Sequence, residues 1–310
     1  MNDQHEGNND PPRFGPFGPV DPPRSSLGSA LFAYLEGEPS EQDPTIAAGR
    51  RSLNAYLDTD CGKRPQNWQG TASKPVQCGR QSARNWRFTL VNELSRRADA
   101  SANGKMGKIV LSGGGTWQAT ALDGAALAQE AQDAINAAKV ANMRLIEIAS
   151  QASAIELLFA LEIGVTLDKH ARTIDLIETA SAVIAAPLYD VKRKLDIARP
   201  SEVVGAHDAP LIPVPGHASF PSGHATAAHA LAELLVAVTA AGSVQKCRLR
   251  LMAHRLAENR FHAGLHTCSD TNAGKALGIT FGEWLASSGL RNSNKDWGRL
   301  YDLAACEWRA

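Results

Sequence analysis

The strongest constraint on the fold is a series of helical patterns that begins near Leu122 and continues almost to the C-terminus. From Leu122 to Ser150 the chain is dense in Ala, Leu, Gln, Glu and Lys, and its apolar residues return every three or four positions, which predicts one long helix. Short Gly, Pro or Asp signals separate further segments of the same kind. We predict helices at 122–150, 151–166, 169–186, 187–198, 223–241, 244–262, 271–288 and 297–308.

Signals for β-strands are sparse. Lys108–Leu111, with the sequence KIVL, is the one segment whose composition favours a strand. The glycine-rich Ser112–Thr116 lacks the Lys-Ser/Thr of a phosphate-binding loop, so it predicts a tight turn before the long helix. The predicted fold class is therefore all-α, a helical bundle.

The first part of the chain has a different composition. Residues 1–43 are rich in Pro, Gly, Asn and Asp and contain too little apolar surface to offset the entropy of ordering, which predicts a flexible N-terminal arm. Residues 60–81 also lack periodicity and are interpreted as a surface loop. Residues 44–310 are long enough to bury the core of a single α-helical domain.

Charge and hydropathy exclude several kinds of partner. Lys plus Arg and Asp plus Glu both number 32, so there is no basic field typical of nucleic-acid binding. The N-terminus lacks the basic and apolar runs of a secretory signal. The longest apolar run, Ala225–Val244, contains His229 and Glu233, which favours a buried helix over a membrane span. We expect a soluble, cytoplasmic protein that acts on a small molecule.

Three short segments carry candidate chemistry, and the first contains Lys192 and Arg199. A separation of seven residues is nearly two helical turns, so both cations are predicted to point to one side of a helix that Pro200 ends. Taken alone, the sequence KRK at 192–194 is more typical of a solvated basic face.

The second segment introduces an Ala/Leu-rich helix. Ser222 suits the N-cap position, and Gly223 lets the backbone approach a ligand closely. A helix start with free N–H groups and a hydroxyl is a natural anion site, although the same residues also serve as a simple helix cap. His224 follows directly.

The third segment places Arg260 six residues before His266 and Asp270 four residues after it. A carboxylate at that spacing can accept a hydrogen bond from one imidazole nitrogen and leave the other free as a nucleophile or ligand.

In this order the three segments resemble the signature shared by the phosphatidic acid phosphatase type 2 enzymes and the vanadium-dependent haloperoxidases. The resemblance extends from Lys192 to Asp270, about a quarter of the chain, and implies the helical bundle of that superfamily. Many members have Ser before the motif's Arg, where this chain has Asn259. The matching residues are Lys192, Arg199, Ser222, Gly223, His224, Arg260, His266 and Asp270.

The resemblance implies one of two reactions at the same site. In a phosphatase, the three cations, Ser222 and the Gly223 N–H hold a phosphate ester. His266 attacks phosphorus to give a phosphohistidine, Asp270 orients it, and His224 protonates the leaving oxygen and then activates water. That reaction needs no cofactor, and it is our first hypothesis.

In a haloperoxidase, the resemblance implies that His266 ligates vanadate, His224 handles the peroxide proton and Lys192 polarises bound peroxide, with halide and an organic substrate as partners. His217, seven residues before His224, lies where algal bromoperoxidases have a second histidine, and it is a candidate pocket residue. A non-catalytic oxyanion-binding protein is a further alternative. Soluble relatives favour a homodimer.

Overall fold

The computed structural model describes residues 83–153 and 155–309. The predicted arm at 1–43 and the irregular stretch at 60–81 lie outside the described residues. The described part is mainly α-helical, which confirms the predicted class, and it adds one small sheet. The helices are α1 (Ala83–Ser95), α2 (Gly124–Lys139), α3 (Leu145–Ser150), α4 (Ile155–Glu162), α5 (Ala171–Leu195), α6 (Pro200–Val203), α7 (Gly223–Val238), α8 (Ser243–His262), α9 (Cys268–Ala286), α10 (Ser288–Ser293) and α11 (Lys295–Cys306).

The sheet is an antiparallel meander of β1 (Ala98–Asn103), β2 (Met106–Leu111) and β3 (Thr116–Thr120), in which only β2 was predicted. Ala100 pairs with Ile109, and Ile109 pairs with Trp117. The indole N–H of the buried Trp117 donates to the Ala273 carbonyl at 3.0 Å, which ties the sheet to α9. Ser112–Gly115 forms the turn between β2 and β3, so β3 separates this turn from the helix it was expected to introduce.

The predicted helix at 122–150 is wrong in length, because the chain breaks after α2. The last turn tightens at Val140, whose N–H donates to the Ala137 carbonyl, and a 3₁₀ turn at Asn142–Arg144 leads into α3. No Gly or Pro marks this break. The break turns α3 towards the C-terminal half of α8, next to the candidate site.

The predicted helices at 169–186 and 187–198 are instead one helix, α5, with Pro187 inside it. Proline removes the hydrogen bond to the carbonyl four residues earlier, that of Val183. The Ser95 hydroxyl donates to this carbonyl at 3.4 Å, so a side chain of α1 compensates for part of the loss. Helix α5 therefore continues to Leu195.

Helices α7 and α9 lie in unusually close contact because α9 carries glycine at every fourth position. A Cβ at Gly274 or Gly278 would lie 2.4 Å from the carbonyl oxygen of Ser222 or Thr226, and one at Gly282 would lie 2.7 Å from that of Ala230. Larger residues would push the helices apart. This packing sets the start of α7 against the start of α9.

Most buried apolar residues form one large cluster shared by the sheet and the main helices. Ile148, Ala263 and Leu265 form a separate small cluster between α3 and the end of α8. Within the described ranges, no helix is both long enough and apolar enough to cross a bilayer.

Candidate active site

The segment after α5 differs from the helix end predicted for Arg199. Helix α5 ends at Leu195, and Asp196 adopts a left-handed conformation with φ 47°. Arg199 is extended, as expected for a residue before proline, and it is the N-cap of α6. Lys192 and Arg199 therefore do not share one helix, and they reach the site from different elements.

Lys192 is fully buried at the centre of the site. Its ammonium donates to the carbonyls of Ala218 at 2.8 Å and Ser219 at 2.7 Å. Burial lowers its pKa well below 10.5, and the nearby Arg199 lowers it further, while Asp270 opposes the shift. An anion bound here would favour the charged ammonium.

Arg199 is also buried, and every nitrogen of its guanidinium has an acceptor. Nε donates to the His217 carbonyl at 3.0 Å, and Nη2 to His217 Nδ1 at 3.1 Å. Nη1 donates to the Leu265 carbonyl at 2.9 Å and to His266 Nε2 at 3.0 Å. Arg199 thus joins the segment before α7 to the segment before α9.

The hydrogen bonds around His266 assign its tautomer. Because a guanidinium only donates, Nε2 of His266 accepts from Arg199, and the ring proton lies on Nδ1, 3.3 Å from Asp270 Oδ2. Burial is the main reason that the pKa of His266 lies well below 6.5. The site therefore contains a neutral imidazole with its lone pair on Nε2, as a nucleophile or ligand requires.

Asp270 is fixed by two residues that the sequence did not single out. The Ser219 hydroxyl donates to Oδ2 at 2.6 Å, and the Thr267 N–H donates to the same oxygen at 2.9 Å. Burial alone would raise the pKa of Asp270, but hydrogen bonds from His266 and these two donors hold it below its usual value. Asp270 also closes the capping box of α9 with Thr267.

The predicted N-cap role of Ser222 is confirmed. Its hydroxyl accepts from the Ala225 N–H at 3.4 Å, and its own N–H donates to the Asp270 carbonyl at 2.9 Å. A Cβ on Gly223 would lie 3.6 Å from Leu188, an ordinary contact. Protein packing alone therefore does not require glycine at 223, and close approach of a ligand stays a prediction.

Arg260, on α8, contrasts with Arg199. It is fully buried, and Nη2 donates to the Ile148 carbonyl at 2.9 Å. Nε and Nη1 are buried with no hydrogen-bond partner among the described residues. Burial lowers the pKa of Arg260 to about 10. A buried guanidinium with free donors is a favourable position for an oxyanion.

His224 is half-buried at the start of α7, and its Nε2 lies 3.2 Å from the Ala152 carbonyl, which assigns the proton to Nε2. Burial, followed by the charge of Arg260, lowers its pKa to about 3. His224 is therefore neutral in the ligand-free protein. A bound oxyanion would raise its pKa and make it a proton donor.

His217, the candidate pocket residue, lies next to Arg199. Its ring contacts Tyr189 edge to face with centroids 5.0 Å apart, and its Nδ1 bonds to Arg199. Burial and the charge of Lys192 lower its pKa to about 4.

Asn259, which stands where many proteins with the resembling signature have Ser, has its own set of partners. Its amide donates at 2.8 Å to Glu147 and to Gln151, and its carbonyl accepts from Arg144 at 3.2 Å. The residue before Arg260 thus connects α8 to α3.

The residues fit a tetrahedral oxyanion such as phosphate or vanadate. The candidate site contains three cationic side chains and the buried carboxylate Asp270, Glu202 accepts from the Arg199 N–H, and burial lowers the pKa of Lys192, Arg199 and Arg260. An anion would restore part of the solvation that burial removes. The free donors of Arg260 supply the hydrogen bonds.

No protein-family model and no curated protein matches the chain. A bacterial vanadium-dependent iodoperoxidase is a distant structural neighbour, with a TM-score of 0.43 and 17% sequence identity over 54% of this chain. The match spans 50% of the iodoperoxidase. At this level of similarity the match carries no argument about activity, which depends on the site itself.

Proposed function

We propose that the chain is a phosphatase that hydrolyses a phosphate ester through a phosphohistidine on His266. The observation that carries this proposal is the pair of buried donors on Arg260, Nε and Nη1, that have no partner in the part of the chain that the structure describes. Leaving a buried donor unpaired costs about 1–3 kcal/mol. An oxyanion that accepts from Nε and Nη1 would recover that cost.

The first chemical step begins at His266 Nε2. In the ligand-free site Arg199 donates to this nitrogen, and an ester oxygen that takes over the Arg199 donor would release the lone pair. The lone pair then forms the N–P bond while the P–O ester bond breaks. Asp270 stabilises the charge that develops on the ring, since it accepts from Nδ1–H.

His224 manages the protons in both half-reactions. The phosphate dianion raises its low pKa, so the ring enters the reaction protonated and donates to the leaving oxygen. The neutral ring then accepts a proton from water as the water attacks phosphorus and the N–P bond breaks. Lys192, Arg199 and Arg260 stabilise the equatorial oxygens, and each donor in such a site contributes about 2.7–4 kcal/mol to the transition state.

A second candidate function is vanadate-dependent oxidation of halide, which His217 favours because it bonds to Arg199 beside the site. Arg260, Arg199 and Lys192 would hold the vanadate oxygens, and His266 Nε2 would be the protein ligand. Bound vanadate would supply the Lewis acidity that activates hydrogen peroxide. His224 would hold or move the peroxide proton. The structural similarity to the iodoperoxidase is too low to favour either candidate function.

Two assays on one protein preparation distinguish the candidates. Phosphate-ester hydrolysis is measured without vanadate, and bromination of a phenol dye is measured with orthovanadate and peroxide in phosphate-free buffer. We expect the wild-type protein to hydrolyse the ester. The rate should fall about a thousandfold or more in His266→Ala, as for loss of a nucleophile, while the circular dichroism spectrum is unchanged.

Bromination that needs both vanadate and His266 would overturn the phosphatase proposal in favour of the second candidate. Hydrolysis at wild-type rates in His266→Ala would exclude the phosphohistidine. Vanadate binding without either activity would identify a non-catalytic oxyanion-binding protein.

A further inference from the structure

We propose that Glu147 is a positioning residue for the candidate active site. It holds in place the 147–152 segment, a wall of the site whose backbone carbonyls are hydrogen-bond partners of Arg260 and His224. The part of the proposal that concerns oxyanion binding rests on the proposed function, and the part that concerns the position of the segment does not. No residue of this segment belongs to the signature that resembles the superfamily.

The 147–152 segment contacts both residues through backbone carbonyls. The Ile148 carbonyl accepts from Arg260 Nη2 at 2.9 Å, and the Ala152 carbonyl lies 3.2 Å from His224 Nε2. The Ile148 carbonyl lies in the last turn of α3, where helix carbonyls have no partner within the helix, and Ala152 lies two residues beyond the end of the helix at Ser150. The 147–152 segment therefore fixes two site residues from different helices.

Glu147 joins this segment to α8. Its carboxylate accepts from Arg255 Nε and Nη2, both at 2.8 Å, and from Asn259 Nδ2 at 2.8 Å. Within its own segment it also accepts from Gln151 Nε2 at 3.2 Å. The hydrogen bond from Arg255 is the main reason that the pKa of Glu147 falls to about 2, so the carboxylate is charged throughout the neutral range.

Apart from a 2.8 Å hydrogen bond from the Asn259 amide to the buried Gln151, few other contacts hold the segment. Helix α3 has six residues, and among them only Ile148 is buried, in the small cluster with Ala263 and Leu265. Isolated helices of this length are not stable in water. Glu147 therefore has a large influence on where the Ile148 and Ala152 carbonyls lie.

Helix α8 supplies a matched control. Arg250 donates through Nε and Nη2 to Glu233 at 2.7 and 2.6 Å, the same two-bond geometry that Arg255 makes with Glu147. Glu233 lies on α7, and it has no bond to Arg260 or His224. Loss of either carboxylate removes a comparable ion pair with an arginine of α8, but of the two carboxylates only Glu147 belongs to the 147–152 segment.

The experiment compares Glu147→Ala with Glu233→Ala in two measurements. The first is orthovanadate affinity by calorimetry, with kcat and KM for the hydrolysed ester. We expect Glu147→Ala to weaken vanadate binding and reduce kcat about tenfold, as for loss of a residue that orients a ligand-binding group. Glu233→Ala should stay within twofold of wild type.

The second measurement is the pKa of His224 in ligand-free protein, by NMR of its ring protons. Displacement of the wall hydrates the ring and so removes the burial that is the main cause of its low pKa, an effect larger than the opposing loss of the hydrogen bonds to the Ala152 and Gln151 carbonyls. The pKa of His224 is then expected to rise from about 3 towards 6.5 in Glu147→Ala and to stay low in Glu233→Ala. Besides the Ala152 and Gln151 carbonyls, the groups that shift this ring's pKa are Arg260 and Arg199.

The two measurements separate the two proposals. An unchanged His224 pKa with unchanged vanadate affinity in Glu147→Ala would overturn the positioning role. If wild-type protein binds no vanadate, the proposed function fails, but the ligand-free titration of His224 still decides the role of Glu147. Equal effects in both variants would reduce Glu147 to a general contributor to stability.

Discussion

The two sides of the site differ in how many of their polar side-chain atoms have hydrogen-bond partners within the protein. On the His266 side, which comprises Lys192, Arg199, His266 and Asp270, each of these side chains has protein hydrogen-bond partners. On the Arg260 side, which comprises Arg260 and His224, the guanidinium has two nitrogens without a partner among the described residues.

This difference indicates a division of roles. The His266 side is arranged before a ligand arrives, because its hydrogen bonds already fix the tautomer and orientation of the imidazole. We propose that the Arg260 side contributes attraction, because Nε and Nη1 of Arg260, which have no partner among the described residues, would gain acceptors from a bound oxyanion. A site satisfied on both sides would bind oxyanions weakly, and one satisfied on neither side would lack a fixed nucleophile.

The strongest test of the comparison between the two sides replaces Arg199 or Arg260 with methionine. Either change should reduce turnover about 10²–10³-fold, as for loss of a charge-stabilising donor. Arg199→Met should also lower the free energy of unfolding by about 2–3 kcal/mol, because buried acceptors at His217, Leu265 and His266 lose their donor.

Arg260→Met should leave the free energy of unfolding unchanged or raise it, because the change removes a buried cation with two donors that are unpaired within residues 83–153 and 155–309. Urea denaturation in phosphate-free buffer measures both values. Equal destabilisation by the two substitutions would contradict the division between the two sides.

A smaller effect is expected from Ser219→Ala on the His266 side. Loss of the hydroxyl removes one donor from Asp270, which raises the pKa of the carboxylate and loosens the orientation of His266. We expect kcat to fall about tenfold, as for loss of a residue that orients a ligand-binding group, measured by steady-state kinetics across pH.

Ser181→Ala is the matched control for Ser219→Ala, because Ser181 is also buried and its hydroxyl has no partner among the described residues. It should leave kcat unchanged. A similar loss in both variants would assign the effect to packing.

The smallest expected effect is the uptake of a fraction of a proton when an oxyanion binds. The pKa of His224 is about 3 without ligand, so the ring is neutral at pH 5–7, and a bound oxyanion raises this pKa. Binding should then take up protons in that range, and affinity should fall as pH rises through the pKa of the complex. Calorimetry in buffers of different ionisation enthalpy measures the uptake.

The oxyanion itself can also change its protonation on binding, and His224→Gln is the control for that contribution. We expect a smaller proton uptake in His224→Gln than in wild type. Identical uptake in the two proteins would exclude His224 as the group that becomes protonated.

Local patterns predicted much of the helical fold. The helix expected at 244–262 is observed at Ser243–His262, and the N-cap at Ser222 is where the Pro-Ser-Gly sequence predicted it. Both depend on neighbouring residues in the chain, through helical periodicity and the capping hydroxyl.

The features that the sequence missed depend on distant contacts. β1 has the sequence ADASAN, which has little strand propensity, and it is held by pairing with β2. Helix α5 continues through Pro187 because Ser95 compensates at the Val183 carbonyl. Ser219 is 51 residues from Asp270, so only the fold shows that they meet.

The glycine contact between α7 and α9 has a consequence for the evolution of specificity. With backbone against backbone, the two helices form a frame whose spacing the glycines set at close contact, and a substrate that forced the helices apart would lose this packing. Variation in substrate size must then fall on the parts outside this frame, the 147–152 segment and the 196–221 connection. Directed evolution towards bulkier substrates should enrich changes in those two stretches and leave Gly274, Gly278 and Gly282 untouched.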